Sequence, residues 1–180
     1  MTSKSSVVIV GGCGRVGLPL GLALADSGHP VVLYDIDATA VDTVGAAKMP
    51  FDEEGADELL EAGVSSGLLR ASTDPACVRD VDHVIVVVGT PVDEHFNPDA
   101  EMVLRAVDDI VEYLTAGQHL VLRSTVYPGV TALVERLLER RGIELQVSYC
   151  PERIAEGKAM TELYSLPQIV SGRSPEALAA

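Results

Sequence analysis

The sequence predicts an α/β fold with a doubly wound, mostly parallel sheet and helices on both faces. Three observations carry that expectation. Short β-branched runs alternate with amphipathic stretches along the chain. The runs are almost continuously apolar, as strands buried on both faces are. The helical stretches between them supply the crossovers that parallel neighbours require. With 180 residues, the chain can bury on the order of 70% of its unfolded surface. An apolar fraction of 47% against 22% charged excludes a disordered chain.

The first strand is the run Val7–Val10, closed by glycines. A helix follows, lined by Leu18, Leu22 and Ala25 at helical spacing. The second strand is Val31–Tyr34. Residues 50–67 are the least regular stretch and suggest a short helix over 56–62 between loops. A short strand at 69–72 fits before the strand 84–88, which Gly89 stops. Val103, Val107, Ile110 and Leu114 form one stripe of a helix starting near Asp99. After the strand 120–122 and the turn Tyr127-Pro128-Gly129, Leu133 and Leu137 mark the next helix. Strands at 145–149 and 168–170 complete the sheet. Ser174-Pro175-Glu176 reads as a helix start, with an N-cap, a proline at the first position and an acid in the first turn. The expected organisation is therefore one α/β domain over 1–173. Residues 174–180 then open a helix leading to further domains.

Charge and cysteine usage narrow the function classes. Thirteen basic against 27 acidic residues give a net charge of −14, the wrong sign for neutralising a nucleic-acid backbone. Nine acids lie between Asp35 and Glu61 with Lys48 alone among them, which reads as a solvated face. Cys13, Cys77 and Cys150 form an odd set without a CxxC pair, which argues for a reducing compartment and against a zinc site. No apolar stretch reaches the roughly 18 residues of a membrane span. The polar start leads into only four apolar residues before the glycines, too short a run for a signal h-region. The expectation is a cytoplasmic protein with no membrane or nucleic-acid partner and no metal.

The strongest motif is Gly12-Cys13-Gly14-Arg15-Val16-Gly17, which ends a strand and opens a helix. That context makes it a dinucleotide-binding fingerprint of the Rossmann type. Gly12 permits the tight turn, Gly14 lets backbone approach a pyrophosphate, and Gly17 lets the helix pack on the sheet. The helix N-terminus favours the phosphates. Asp35 ends the second strand, where a carboxylate accepts the ribose hydroxyls of NAD and repels the 2′-phosphate of NADP. Ile36, Asp37 and Ala38 supply no arginine to reverse that preference. Asp35 has a second reading, as the cap of the next helix, for which Asp37 is better placed. Gly89-Thr90-Pro91, Ser124-Thr125 and Cys150-Pro151-Glu152-Arg153 each follow a strand, and their common edge points to one ligand crevice. The four histidines have no ligand spacing. The Cys13 thiol reads as incidental and Cys77 has no activating neighbours, while Cys150, directly before Pro151, is a conceivable but disfavoured nucleophile.

These residues resemble the N-terminal NAD-binding domain of the UDP-glucose/GDP-mannose dehydrogenase family over nearly the whole chain. The matching pieces are the fingerprint with Leu18-Pro19-Leu20, Tyr34-Asp35-Ile36-Asp37, Val88-Gly89-Thr90-Pro91, Ser124-Thr125-Val126-Tyr127-Pro128-Gly129-Val130-Thr131, and Cys150-Pro151-Glu152-Arg153-Ile154-Ala155-Glu156-Gly157. Arg153, Leu166-Pro167-Gln168-Ile169-Val170 and Met49-Pro50-Phe51 resemble the UDP-N-acetylhexosamine branch more than UDP-glucose dehydrogenases.

The resemblance implies oxidation of a UDP-sugar 6-hydroxyl to a carboxylate with two NAD+, through a cysteine-bound intermediate. It implies NAD contacts from Gly12, Gly14, Arg15, Val16, Gly17, Asp35, Gly89, Thr90, Ser124 and Thr125. It implies proton or water handling by Thr125, Glu152 and Glu156, and sugar-nucleotide contacts from Glu152, Arg153 and Ile154. The nucleophilic cysteine and its partners belong to later domains in that family, as do the oligomer contacts. On this basis the chain alone is expected to be inactive. The alternatives are a UDP-glucose 6-dehydrogenase, a β-hydroxyacid dehydrogenase, and a non-catalytic NAD-binding module.

Overall fold

The computed structural model describes residues 4–90, 101–155 and 157–179. Seven strands form one sheet: β1 (Val7–Val10), β2 (Val31–Tyr34), β3 (Leu69–Ser72), β4 (His83–Val86), β5 (His119–Leu122), β6 (Gln146–Tyr149) and β7 (Ser171–Gly172). Their order is β3-β2-β1-β4-β5-β6-β7. The chain starts in the middle, winds out to β3, then returns beside β1 as β4 and winds out the other way. β1 pairs in parallel with both β2 and β4, Ile9 standing opposite Leu33 on one side and Ile85 on the other. The direction of winding therefore reverses at β1 and β4, the place where open parallel sheets bind ligands.

The helices are α1 (Gly17–Asp26), α2 (Ala38–Gly45), α3 (Ala56–Ser65), α4 (Glu101–Ile110), α5 (Val130–Arg141), α6 (Ala159–Ser165) and α7 (Pro175–Ala179). Side-chain alternation along β1 divides the core. Val8 and Val10 join Val84, Val86, Leu120 and Leu122 beneath α4 and α5. Val7 and Ile9 join Leu33 and Leu60 beneath α1 and α3, with Met160 and Leu163 of α6 at the margin. A strand read as continuously apolar thus supplies two cores at once. Fully buried Leu18, Leu22 and Leu33 each contribute about 1.5–3 kcal/mol of transfer free energy.

Three expectations are corrected. Residues 168–170 are not a strand; the last strand is β7, and it pairs antiparallel to β6, Tyr149 opposite Ser171. It sits at the sheet edge, where a short antiparallel strand closes the ladder with no crossover. On α5 the buried stripe is Val130, Val134 and Leu138, while Leu133 and Leu137 are half-buried and face the groove toward Leu104 of α4. Spacing by four fits both stripes, so periodicity alone could not choose between them. The helix expected over 56–62 runs on to Ser65.

The final helix forms where Ser174 suggested. The Ser174 hydroxyl accepts from the Ala177 N–H at 3.1 Å. Asp99, the expected helix start before α4, lies outside the described residues. Among the described residues no helix is long and apolar enough to cross a membrane.

Candidate functional site: a crevice at the strand ends

The fingerprint loop is set by close backbone approaches. Gly11 and Gly12 N–H groups both donate to Tyr34 O, at 2.9 and 3.0 Å, which draws the loop over the end of β2. The structure redistributes the glycine roles. The positive φ that makes the turn belongs to Gly11, at +79°, where a Cβ would lie 2.2 Å from Val87 O. Gly12 instead presses on β2, its Cβ position 2.7 Å from Leu33 Cα. Gly17 lets α1 start against the loop, where a Cβ would lie 2.4 Å from Gly11 O. Packing of α1 on the sheet depends on Gly21, whose Cβ would meet Leu33 Cδ2 at 2.6 Å. Gly14 is the open one, with its nearest neighbour 3.6 Å away, as a residue approached by a ligand must be.

Asp35 is tied into this loop. Its Oδ2 accepts from Cys13 N–H at 3.0 Å and its Oδ1 from Asp37 N–H at 3.1 Å. Asp37, not Asp35, caps α2, accepting from Thr39 and Ala40 N–H groups. Asp35 is therefore left at the loop with lone pairs to spare. Ile36 beside it is 85% exposed, an apolar surface at the mouth of the loop.

Burial and the charges of Asp35 and Asp37 push the Cys13 thiol up to about 12, because each disfavours a thiolate there. Burial likewise raises Cys77 to about 11. Both thiols should therefore resist iodoacetamide at pH 8 in the folded chain and react once it is unfolded in denaturant. Labelling should climb only as pH approaches those values. Rapid labelling of Cys13 at pH 8, read by peptide mass, would contradict this placement.

A crevice of about 390 Å³ opens at the carboxyl ends of the central strands. It is lined by Gly14 to Gly17 on the loop side, Gly89 and Thr90 after β4, Ser124 and Thr125 after β5, and Glu152 after β6. These sequence-predicted residues do converge. Thr125 is exposed to the crevice. Ser124 is buried, its hydroxyl donating to Val88 O at 2.8 Å and accepting from Val88 N–H at 2.9 Å, which fastens the end of β5 to the end of β4. Ile154 lines an adjoining hollow of about 170 Å³ that shares Arg15 and Val16 with the crevice. Arg15 lies over the Phe51 ring, 5.1 Å from its centroid. Arg153 turns away, its guanidinium donating to Pro167 O at 2.6 Å. Glu156 and Pro91 lie outside the described residues. A larger, open hollow of about 900 Å³ sits at the opposite ends of β5 and β6. It contains none of the strand-end motifs, so volume alone does not choose the site.

Glu152 is more constrained than its sequence position suggests. Its Oε1 accepts from Arg153 and Ile154 N–H groups at 2.6 and 2.9 Å. Its Oε2 lies 2.6 Å from Arg123 Nη2, with the two side chains 10% and 7% exposed. That contact is an ion pair without hydrogen-bond alignment. Arg123 went unnoticed in the sequence. Its one signal is a cation placed directly after the buried run of β5, where an unpaired charge is not tolerated.

The geometry fits NAD. Gly14 leaves room at the loop, no side chain caps the α1 N-terminus, and an acid with no neighbouring cation stands at the end of β2. Comparison with known proteins agrees. The model of the UDP-glucose/GDP-mannose dehydrogenase family, NAD binding domain, matches residues 5–180. An NDP-N-acetyl-D-galactosaminuronic acid dehydrogenase of Ralstonia solanacearum is 32% identical over 93% of this chain and 42% of its own length. A UDP-N-acetyl-D-mannosamine dehydrogenase of Methanococcus aeolicus is 32% identical over 92% of this chain and 38% of its own. The structure of UDP-D-ManNAc dehydrogenase from Pyrococcus horikoshii superimposes with a TM-score of 0.90 at 29% identity, covering 97% of this chain and 43% of that one. The chain thus spans less than half the length of these relatives. The crevice, the acid at its loop and a family match over nearly every residue lead to one assignment: the chain belongs to the UDP-glucose/GDP-mannose dehydrogenase family, as its NAD-binding domain.

Proposed function

We propose that this crevice serves a dehydrogenase that oxidises the 6-hydroxyl of a UDP-sugar, of the UDP-N-acetylhexosamine class, to a carboxylate. The product would be a polysaccharide precursor. The observation that carries the cofactor half of this reading is Asp35, held at the fingerprint loop by Cys13 N–H, with no basic residue among the three that follow it in sequence. The sugar class rests on the relatives' activities and on the Glu152-Arg153-Ile154 loop bordering the crevice.

NAD+, when bound, accepts the hydride. Asp35 takes the ribose hydroxyls, and the Gly14 backbone and the α1 N-terminus face the pyrophosphate. The exposed Thr125 hydroxyl can orient a water or a substrate oxygen. Glu152, fixed by two N–H donors and a guanidinium, keeps a carboxylate at the crevice wall that can accept a proton from water. Three free cysteines suit a reducing, cytoplasmic setting. The whole protein is proposed to act as a homo-oligomer, as the family resemblance implies.

Titration calorimetry of the chain should find NAD bound in strong preference to NADP. Asp35→Ala should weaken NAD by about 1–3 kcal/mol, the scale of charge-assisted hydrogen bonds, and narrow the gap to NADP. Equal affinities for the two in the wild-type chain would overturn the cofactor assignment.

A further inference from the structure

At the crevice wall, Arg123 centres a cluster in which Glu152 alone has a part in the proposed chemistry. Arg123 is 5% exposed although it carries a full charge. Its Nη2 meets the Glu152 carboxylate at 2.6 Å. Its Nη1 donates to Gln168 Oε1 at 3.1 Å and contacts Cys150 Sγ at 3.0 Å. The backbone repeats the link, with Glu152 N–H donating to Arg123 O at 3.0 Å and Cys150 N–H to Leu122 O at 2.9 Å. One guanidinium therefore joins the end of β5, the loop after β6 and the segment that returns toward β7. Glu152 passes that constraint on, because its other oxygen holds the Arg153 and Ile154 N–H groups. A buried ion pair adds little net stability over an apolar pair of the same shape. What this one adds is position: a carboxylate at a fixed place on the crevice wall, and a following loop held in one register.

We propose that Arg123 is a positioning residue. Its guanidinium sets the Glu152 carboxylate and the 153–155 loop against the crevice and ties the Gln168 segment to the same point. The inference deepens the functional reading above and rests on it for the identity of the reaction. The clamp itself is a statement about geometry that a reaction-independent measurement can test.

The test compares Arg123→Met and Arg123→Lys with wild type in the intact protein that carries this chain. Three quantities are read: NAD affinity, UDP-sugar oxidation, and the rate at which iodoacetamide labels Cys150, followed by peptide mass. NAD affinity should change little in both variants: Arg123 lines the crevice, but its guanidinium is engaged with Glu152, Gln168 and Cys150, none of them assigned to the cofactor. Arg123→Met should lower kcat about 100-fold, the effect of displacing a reacting group by around an ångström. Arg123→Lys, which keeps a cation on Glu152, should recover most of kcat. A lysine cannot reach Glu152, Gln168 and Cys150 together, so Cys150 should label several-fold faster in both variants. A purely structural role would not separate Lys from Met in kcat while leaving NAD affinity untouched.

The proposal is overturned if Arg123→Met turns over at the wild-type rate, if Lys is as slow as Met, or if Cys150 labels at one rate in all three proteins. If the Met variant fails to fold, the Lys variant decides alone: near wild-type kcat with faster Cys150 labelling upholds the clamp, and unchanged labelling removes it. A wild-type protein that oxidises no UDP-sugar, yet shows the labelling pattern, overturns the functional reading and upholds the clamp.

Discussion

Gly12→Ala is expected to destabilise the chain by about 3 kcal/mol, the upper end of the usual overpacking range. The added methyl would lie 2.7 Å from Ile9 O, 2.7 Å from Leu33 Cα and 2.8 Å from Leu33 Cβ. None of these atoms can swing away. Ile9 and Leu33 are paired across β1 and β2 at the centre of the sheet, and both are fully buried. The methyl must therefore push the ladder or the loop. At about 2–4 °C per kcal/mol for a protein of this size, the melting temperature should fall by about 10 °C. Gly14→Ala is the control. Its methyl has 3.6 Å of clearance, so stability should change by no more than about 0.5 kcal/mol. NAD affinity should nevertheless drop, because that methyl occupies the open face of the loop. Equal loss of melting temperature in the two variants, measured by calorimetry, would show that the glycines are not divided in this way.

Glu152→Gln should slow UDP-sugar oxidation in the intact protein by roughly 10²–10⁴-fold, the range for a general acid–base group. NAD affinity should stay near the wild-type value, since Asp35 and the glycine loop are untouched. The ion pair adds a second expected effect. The amide can still accept from the Arg153 and Ile154 N–H groups, but it leaves Arg123 buried without a counter-charge. Removing one partner of a buried pair costs about 3–5 kcal/mol, so this variant should also melt lower. The two effects are separable by assaying well below the melting transition. A variant that melts early but turns over at the wild-type rate would leave Glu152 as a loop fastener and remove it from the chemistry.

The fold was legible because its signals are local. A buried parallel strand must be apolar on both faces, and Val7–Val10 shows that without reference to any neighbour. The fingerprint was legible for a related reason. Close backbone approach and a tight turn both require glycine, and the glycines from Gly11 to Gly21 meet that requirement within one short stretch of chain. Boundaries and faces were less legible. Leu133 and Val134 are equally apolar, and only the assembled core, where Val134 meets the sheet, decides which of them is buried. The antiparallel β7 escaped notice because two residues carry no periodicity and the pairing depends on β6.

The site divides along the same line. Asp35, Thr90, Thr125 and Glu152 were found because each lies within four residues of a strand's end, and chain order alone puts parallel strand ends on one edge of a sheet. The sequence by itself therefore determined the parallel architecture, the crevice edge and the acid proposed to select NAD. Tertiary structure decided what each residue there touches. Gly11 rather than Gly12 makes the turn, because only the assembled sheet brings Val87 O to 2.2 Å from its Cβ position. Arg123 meets Glu152 across 29 residues of chain, and Gln168 arrives from 45 residues away. No spacing rule connects them. The physical reason is that a side chain's partners are fixed by the register of β5 against β6 and by the course of the return loop, which appear only when the sheet is assembled.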